Sequence, residues 1–88
     1  MSQGHGRIER KLLAALQDNE QAGLREAIRG LTTSHLAGKV YFDRPMPARL
    51  LSPAELGAVR RALSRLTREG FVIRLGYDNK RHWRRGLR

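Results

Sequence analysis

Apolar residues recur at helical spacing along the first half of the chain. The spacing predicts a helix over residues 7–17, ended by Asp18-Asn19, and a shorter helix over residues 21–30 with Gly30 as its C-terminal signal. The apolar positions are Ile8, Leu12, Ala15 and Leu16 in the first helix, widened by Leu13, and Leu24, Ala27, Ile28 and Leu31 in the second.

A third helix is predicted to begin at an N-cap of Thr33 or Ser34. Gly38 weakens this prediction because glycine lowers helix propensity. Residues 43–49 hold two prolines between charged ends, which favours a loop. The apolar residues that share one side of the third helix are Leu36, Ala37, Val40 and Tyr41.

The longest predicted helix spans residues 52–69 and begins with a strong start signal. Ser52 takes the N-cap, Pro53 the first helical position and Glu55 the third, where the hydroxyl and carboxylate bind otherwise unpaired backbone amides. On a helical wheel one narrow arc is apolar and the nearly opposite side is basic. The apolar arc holds Leu56, Val59, Leu63 and Leu66, and the basic side holds Arg61, Arg65 and Arg68, with Arg60 at its flank.

A basic β-hairpin is predicted after this helix, which Gly70 ends. Residues 71–75 favour a strand, residues 76–80 are typical of a turn, and residues 81–85 can return antiparallel to the first strand. Its positive residues are Lys80, Arg81, Arg84 and Arg85, and Arg88 extends the run.

The charge of the chain points to an anionic partner. Its 88 residues include 18 Lys or Arg and 8 Asp or Glu, which gives a formal net charge of +10. Residues 1–51 carry eight basic and five acidic side chains, whereas residues 52–88 carry ten and three, so the contact surface is expected in the second half.

Other features of the sequence limit the classes of protein to which the chain can belong. The absence of cysteine excludes a disulfide frame and a thiolate metal site. The first residues lack an apolar signal core, and no stretch approaches the roughly 20 apolar residues of a membrane span. We expect residues 1–6 to be a flexible N-terminus, residues 7–88 to form a single domain, and the protein to be cytoplasmic without membrane association.

Residues 52–85 resemble the recognition helix and wing of winged helix-turn-helix DNA-binding domains, with GntR- and MarR-type bacterial regulators as the nearest in character. The resemblance rests on Val59, Arg60, Ala62, Leu63, Leu66, Glu69, Gly70, Phe71 and Val72. It implies a mainly α fold of three to four helices followed by a two-stranded wing. The connection DRPMPARLL before the helix is longer than is usual in that family, and Arg49-Leu50-Leu51 is a candidate for the small first strand.

The resemblance implies groove contacts from the long helix and backbone contacts from the wing, and the charge of duplex DNA favours both. The base-contact candidates are Arg60, Arg61, Ser64 and Arg65, since a guanidinium can bridge two acceptors of guanine. The backbone candidates are Ser52, Arg68, Tyr77, Lys80, Arg81, Arg84 and Arg85. For Ser52 the reason is that a helix N-terminus favours phosphate.

Competing interpretations stay open. We expect Trp83 to pack against the core rather than to stack on a base, because a tryptophan in a small hairpin usually covers the core. His5, His35 and His82 show no metal-ligand spacing, and no catalytic motif, cofactor loop or effector site is evident, so we expect neither an enzyme nor a bound metal or cofactor. The alternatives are a non-specific nucleoid-type DNA-binding protein and a winged-helix module that docks RNA or protein.

A homodimer on a palindromic site is expected by analogy with such regulators. Leu13 of the first helix and the apolar edges of the next two helices are the candidates for its contact surface.

Overall fold

The computed structural model describes residues 6–77 and 80–86, apart from the side chains of Glu26, Ala27, Tyr77 and Lys80. Within these residues the chain is mainly helical and carries a small antiparallel sheet. The helices are α1 (Arg7–Gln21), α2 (Leu24–Arg29), α3 (Thr33–Phe42) and α4 (Pro53–Arg68), with a 3-10 turn at Ala48–Leu50. The strands are β1 (Leu31–Thr32), β2 (Val72–Tyr77) and β3 (Lys80–Arg85). The predictions for residues 1–5, for the turn residues 78–79 and for Arg88 lie outside the described residues.

The first two helices differ in length from their predictions. The predicted end at Asp18-Asn19 is wrong, because α1 continues to Gln21. This last turn contacts the sheet, because the Glu20 carboxylate accepts a hydrogen bond from Arg85 Nη1 of β3 at 3.0 Å. α2 is shorter than the predicted 21–30 segment, and Leu24 is 77% exposed. Its apolar spacing therefore forms a helix without burying that side chain.

α3 begins one residue earlier than expected. Its N-cap is Thr32, whose hydroxyl accepts a hydrogen bond from the His35 amide at 3.2 Å. The hydroxyl of Thr33, an expected cap, instead accepts one from the Trp83 indole Nε1 at 2.9 Å. The loop that follows α3 crosses this helix closely at Gly38.

The sheet has three strands in the order β1-β3-β2: β2 and β3 are the predicted two-stranded hairpin, and β1 is a third strand that the sequence did not predict. β1 pairs antiparallel with β3, with Leu31 opposite Trp83 and Thr32 opposite His82. Arg49-Leu50-Leu51 is not this first strand, because the 3-10 turn occupies most of it. A strand of two residues has no periodicity to detect, and its partner is distant in sequence.

The start of α4 confirms the predicted capping box. Ser52 Oγ accepts a hydrogen bond from the Glu55 amide at 3.1 Å, and the Ser52 amide donates to Glu55 Oε1 at 2.8 Å. Pro53 occupies the first helical position, where its missing N–H leaves no hydrogen bond unmade.

The end of α4 sets the position of the hairpin. Gly70 adopts a φ of 86°, and the amides of Gly70 and Phe71 donate to the carbonyls of Thr67 and Leu66. This is a Schellman ending, in which a left-handed glycine reverses the chain direction. The Gly86 amide donates to the Phe71 carbonyl at 2.7 Å and closes the base of the hairpin. β2 and β3 are thereby fixed beside the last turns of α4.

The core lies where α1, α3 and α4 meet the sheet. Its largest fully buried side chains are Leu12, Leu16, Leu36, Leu63, Leu66, Val59 and Val72. Leu13, expected at a dimer contact, is half-buried and packs against this core, and the homodimer stays a prediction. Among the described residues no helix has the length and apolar character needed to cross a membrane.

Candidate nucleic-acid interface

α4 divides into a buried face and a basic face. Val59, Leu63 and Leu66 have no exposed surface, because they fill the core at helical spacing. Every predicted base-contact residue lies on the other face and is exposed. The exposed residues of this face are Arg60, Arg61, Ser64, Arg65 and Arg68. The structure thus brings the helical candidates together on one ridge.

A concavity of about 1090 Å³ lies between this ridge and the hairpin. The buried side chains of Val72 and Trp83 contribute to its floor. Five arginines line it, and none of the described residues that line it is acidic. These arginines are Arg60, Arg61, Arg65, Arg68 and Arg74. The concavity therefore concentrates positive charge that its own lining does not neutralise, and such a surface attracts anions.

Arg74 is a member of this group that the sequence predictions omitted. It lies opposite Trp83 in the β2–β3 ladder, so both side chains project from the same face of the sheet. The sequence does contain a signal for this position. Val72 is in the core, and Arg74 follows it by two residues, so strand alternation places both on the same face of the sheet.

Arg65 has a partner that was also missed. Its Nη1 lies 3.6 Å from Oε2 of Glu9, a carboxylate of α1 with a side chain only 7% exposed, whereas the Arg65 side chain is 63% exposed. The other oxygen of Glu9 accepts a hydrogen bond from the Gly6 amide at 3.0 Å. No local pattern links residues so far apart in sequence, and only the packing of α1 against α4 brings them together.

The hairpin candidates occupy different positions. Arg85 is at the base, opposite Val72, and is bound to Glu20 of α1, so it helps to attach the sheet to that helix. Arg84 is half-buried, and its Nε has no hydrogen-bond partner among the described residues. Arg81 lies nearer the tip and is exposed. The side chains of Tyr77 and Lys80 lie outside the described residues.

Ser52 has a structural role in the observed geometry. Its hydroxyl and its amide are both engaged by Glu55 in the capping box. The carboxylate of Glu55 already accepts from the Ser52 amide, and its negative charge would repel a phosphate brought to this helix N-terminus. Ser52 is therefore left out of the interface proposed below.

Trp83 is 3% exposed, which confirms the packing interpretation over base stacking.

Burial lowers the pKa of His35, and the nearby charge of Lys39 lowers it further. Within residues 6–77 and 80–86, no group of three or more His, Asp or Glu side chains is arranged to hold a metal ion.

A second concavity, of about 840 Å³, lies on the other flank of the ridge, between α4 and the helices α1 and α3. Arg61 and Arg65 line both concavities. The second one has a different character, because Ile8, Val40 and the buried Glu9 also line it. Of the two flanks, only the hairpin side is lined by basic residues without an acidic one among the residues that the structure describes.

No protein-family model matches this chain, and neither a curated protein nor a solved structure matches it. Assignment of a function therefore rests on the geometry and charge of the described surface.

Proposed function

We propose that this protein binds double-stranded DNA in a sequence-specific manner, as a small transcriptional regulator or an accessory factor of a mobile element. In this proposal α3 and α4 form a helix-turn-helix, and β2 and β3 form its wing. α4 enters the major groove, and the hairpin runs along the backbone. The long connection between the two helices, with its 3-10 turn, takes the place of the usual short turn.

The observation that carries the proposal is the concavity beside α4, lined by five arginines and by no acidic residue among those described. Duplex DNA is a dense line of phosphates, and each cation placed against one releases a condensed counterion. Binding through such a surface gains affinity from every contact and loses it steeply as salt rises. A protein-docking surface would be far less sensitive to salt.

Size and side-chain chemistry support duplex DNA in particular. An α-helix with its side chains is about 10–12 Å across, and the major groove of B-DNA is about 12 Å wide. Arg60, Arg61 and Arg65 project from the ridge that would enter the groove, where a guanidinium can bridge two acceptors of guanine. Arg68, at the C-terminal end of the ridge, and Arg74, on the hairpin, also line the concavity, which suits contacts to phosphate.

Selection from a random duplex pool at two salt concentrations tests the proposal. We expect a shared motif to be enriched, because base-edge contacts discriminate between sequences. We also expect Arg68→Ala to weaken binding to selected and random duplexes alike and to lower the salt slope by about one. Arg25→Ala is the matched control, since Arg25 is exposed on α2 and lines neither concavity.

The alternatives give different outcomes. Tight, salt-sensitive binding without enrichment would indicate a non-specific architectural protein. Failure to bind duplex DNA at either salt concentration would contradict the proposal and favour an RNA or protein partner. An inverted repeat in the selected motif would support the two-fold dimer.

A further inference from the structure

Glu9 is a buried carboxylate that contacts the proposed interface from outside it. The residue is 5% exposed and belongs to the first turn of α1. One of its oxygens accepts from the Gly6 amide at 3.0 Å, and the other lies 3.6 Å from Arg65 Nη1. The carboxylate is thus anchored to α1 by one oxygen and directed at α4 by the other.

This contact constrains the side chain on which base reading would depend. A free arginine on a helix surface samples many rotamers, and ordering it on binding carries an entropy cost. Nη1 of Arg65 lies 3.6 Å from Glu9 Oε2 while most of the side chain stays exposed, so the ion pair favours rotamers that keep the guanidinium near Glu9 before any ligand arrives. Among the described residues, Arg61 on the same ridge has no ion pair of this kind.

A negative charge so close to the ridge opposes phosphate binding. A carboxylate retained there reduces general attraction to DNA, because it offsets part of the charge of Arg65. The orientation of Arg65 would make up for this lost affinity only on a DNA sequence whose bases present hydrogen-bond acceptors at the position of the guanidinium. Glu9 would therefore weaken binding to random DNA and increase the preference for one particular site.

We infer that Glu9 is a positioning residue that sets sequence preference by holding Arg65 in its base-reading orientation. The inference rests on the proposed DNA-binding function and assigns a part in specificity to the first helix, which the charge distribution of the sequence had left out. Glu9 does not itself contact bases.

Glu9→Gln is the informative substitution. The amide keeps the size of the side chain and an oxygen that can accept from the Gly6 amide, but it removes the charge that attracts Arg65. A good bidentate contact discriminates by roughly fivefold or more. We define the affinity ratio as the affinity for the selected duplex divided by the affinity for a scrambled duplex of equal length and composition. We expect Glu9→Gln to lower this ratio by about fivefold. Affinity for the scrambled duplex should rise.

Glu20→Gln is the matched control. It removes a carboxylate of α1 that is also paired with an arginine, Arg85, at 3.0 Å, but this pair joins α1 to the sheet rather than to α4. We expect its affinity ratio to equal that of the wild type.

A double-mutant cycle separates orientation from a merely structural role. In an Arg65→Ala background, which itself loses preference, Glu9→Gln should leave the affinity ratio unchanged, because the side chain that it orients is gone. Thermal unfolding of each variant shows whether the fold is retained. A structural role would lower the unfolding temperature without moving the ratio.

Two results would overturn the inference while leaving DNA binding in place. These are an unchanged ratio in Glu9→Gln, and an equal effect of Glu9→Gln with and without Arg65. If the wild-type chain selects no motif, sequence preference does not exist and the inference fails with it. If Arg60→Ala, Arg65→Ala and Arg68→Ala all leave duplex binding intact, the proposed function itself is wrong.

Discussion

Gly38 provides a sharp test of how the connection between α3 and α4 packs. It lies in the interior of α3 and is buried, and the loop after the helix passes directly over it. A Cβ at this position would lie 2.5 Å from the Met46 amide nitrogen and would also clash with the Arg44 carbonyl oxygen. Both obstacles are backbone atoms, so no side-chain rotation relieves the overlap.

Two opposing contributions set the effect of Gly38→Ala. Replacing a helical glycine with alanine stabilises by up to about 1 kcal/mol. Forcing a side chain into occupied space costs about 1–3 kcal/mol, and backbone obstacles favour the upper end. We expect the free energy of unfolding to fall by about 2 kcal/mol, which in a domain of this size lowers the melting temperature by roughly 10 °C.

Gly57→Ala is the control, because Gly57 is also interior to a helix. A Cβ there would meet only the Arg61 Nη1 atom, at 3.4 Å, and that flexible side chain can move. We expect this variant to be stabilised by about 1 kcal/mol. Urea unfolding at 25 °C measures both, with an unchanged m-value as the sign that the denatured states are comparable.

The reasoning would be refuted if Gly38→Ala were as stable as Gly57→Ala or more stable. If Gly38→Ala is as stable as Gly57→Ala, the loop does not cross α3 at the observed distance. The connection between the two helices of the proposed helix-turn-helix would then be packed differently.

Three further substitutions test separate parts of the structure. Ser52→Ala removes the cap of α4 and should cost about 1 kcal/mol in urea unfolding while leaving the salt slope of DNA binding unchanged; a reduced slope would restore Ser52 as a phosphate contact. Trp83→Phe keeps an aromatic ring in the core but loses the hydrogen bond to Thr33, so we expect the free energy of unfolding to fall by at least about 1 kcal/mol. An unaltered melting temperature would contradict that hydrogen bond. Because burial and Lys39 lower the pKa of His35, the unfolded chain binds more protons just below pH 6.5, and stability should fall as pH drops from 7 towards the lowered value. His35→Gln should flatten this dependence, and an unchanged pH profile would argue against it.

The features that could be predicted from sequence are those whose causes lie within a few residues. The start of α4 follows from Ser52, Pro53 and Glu55, which satisfy the backbone amides of the same turn. Its division into a core face and a basic face follows from helical periodicity, and Gly70 marks its end. The hairpin follows from β-forming residues on either side of a turn.

Features that depend on distant residues were missed or misplaced. β1 exists because two residues meet β3 across the fold, and the last turn of α1, beyond Asp18-Asn19, carries Glu20, which pairs with Arg85 of β3. The grouping of Arg74 with the arginines of α4 depends on how the Schellman turn sets the hairpin beside the helix.

The sequence by itself determined the helix α4, the hairpin and the excess of positive charge, because periodicity, capping and composition are local or additive properties. Only the tertiary structure decided that five of the arginines line one concavity, that Glu9 lies beside Arg65, and that the loop after α3 passes directly over Gly38. Each of these depends on which surfaces pack together, and packing joins residues that no short pattern connects.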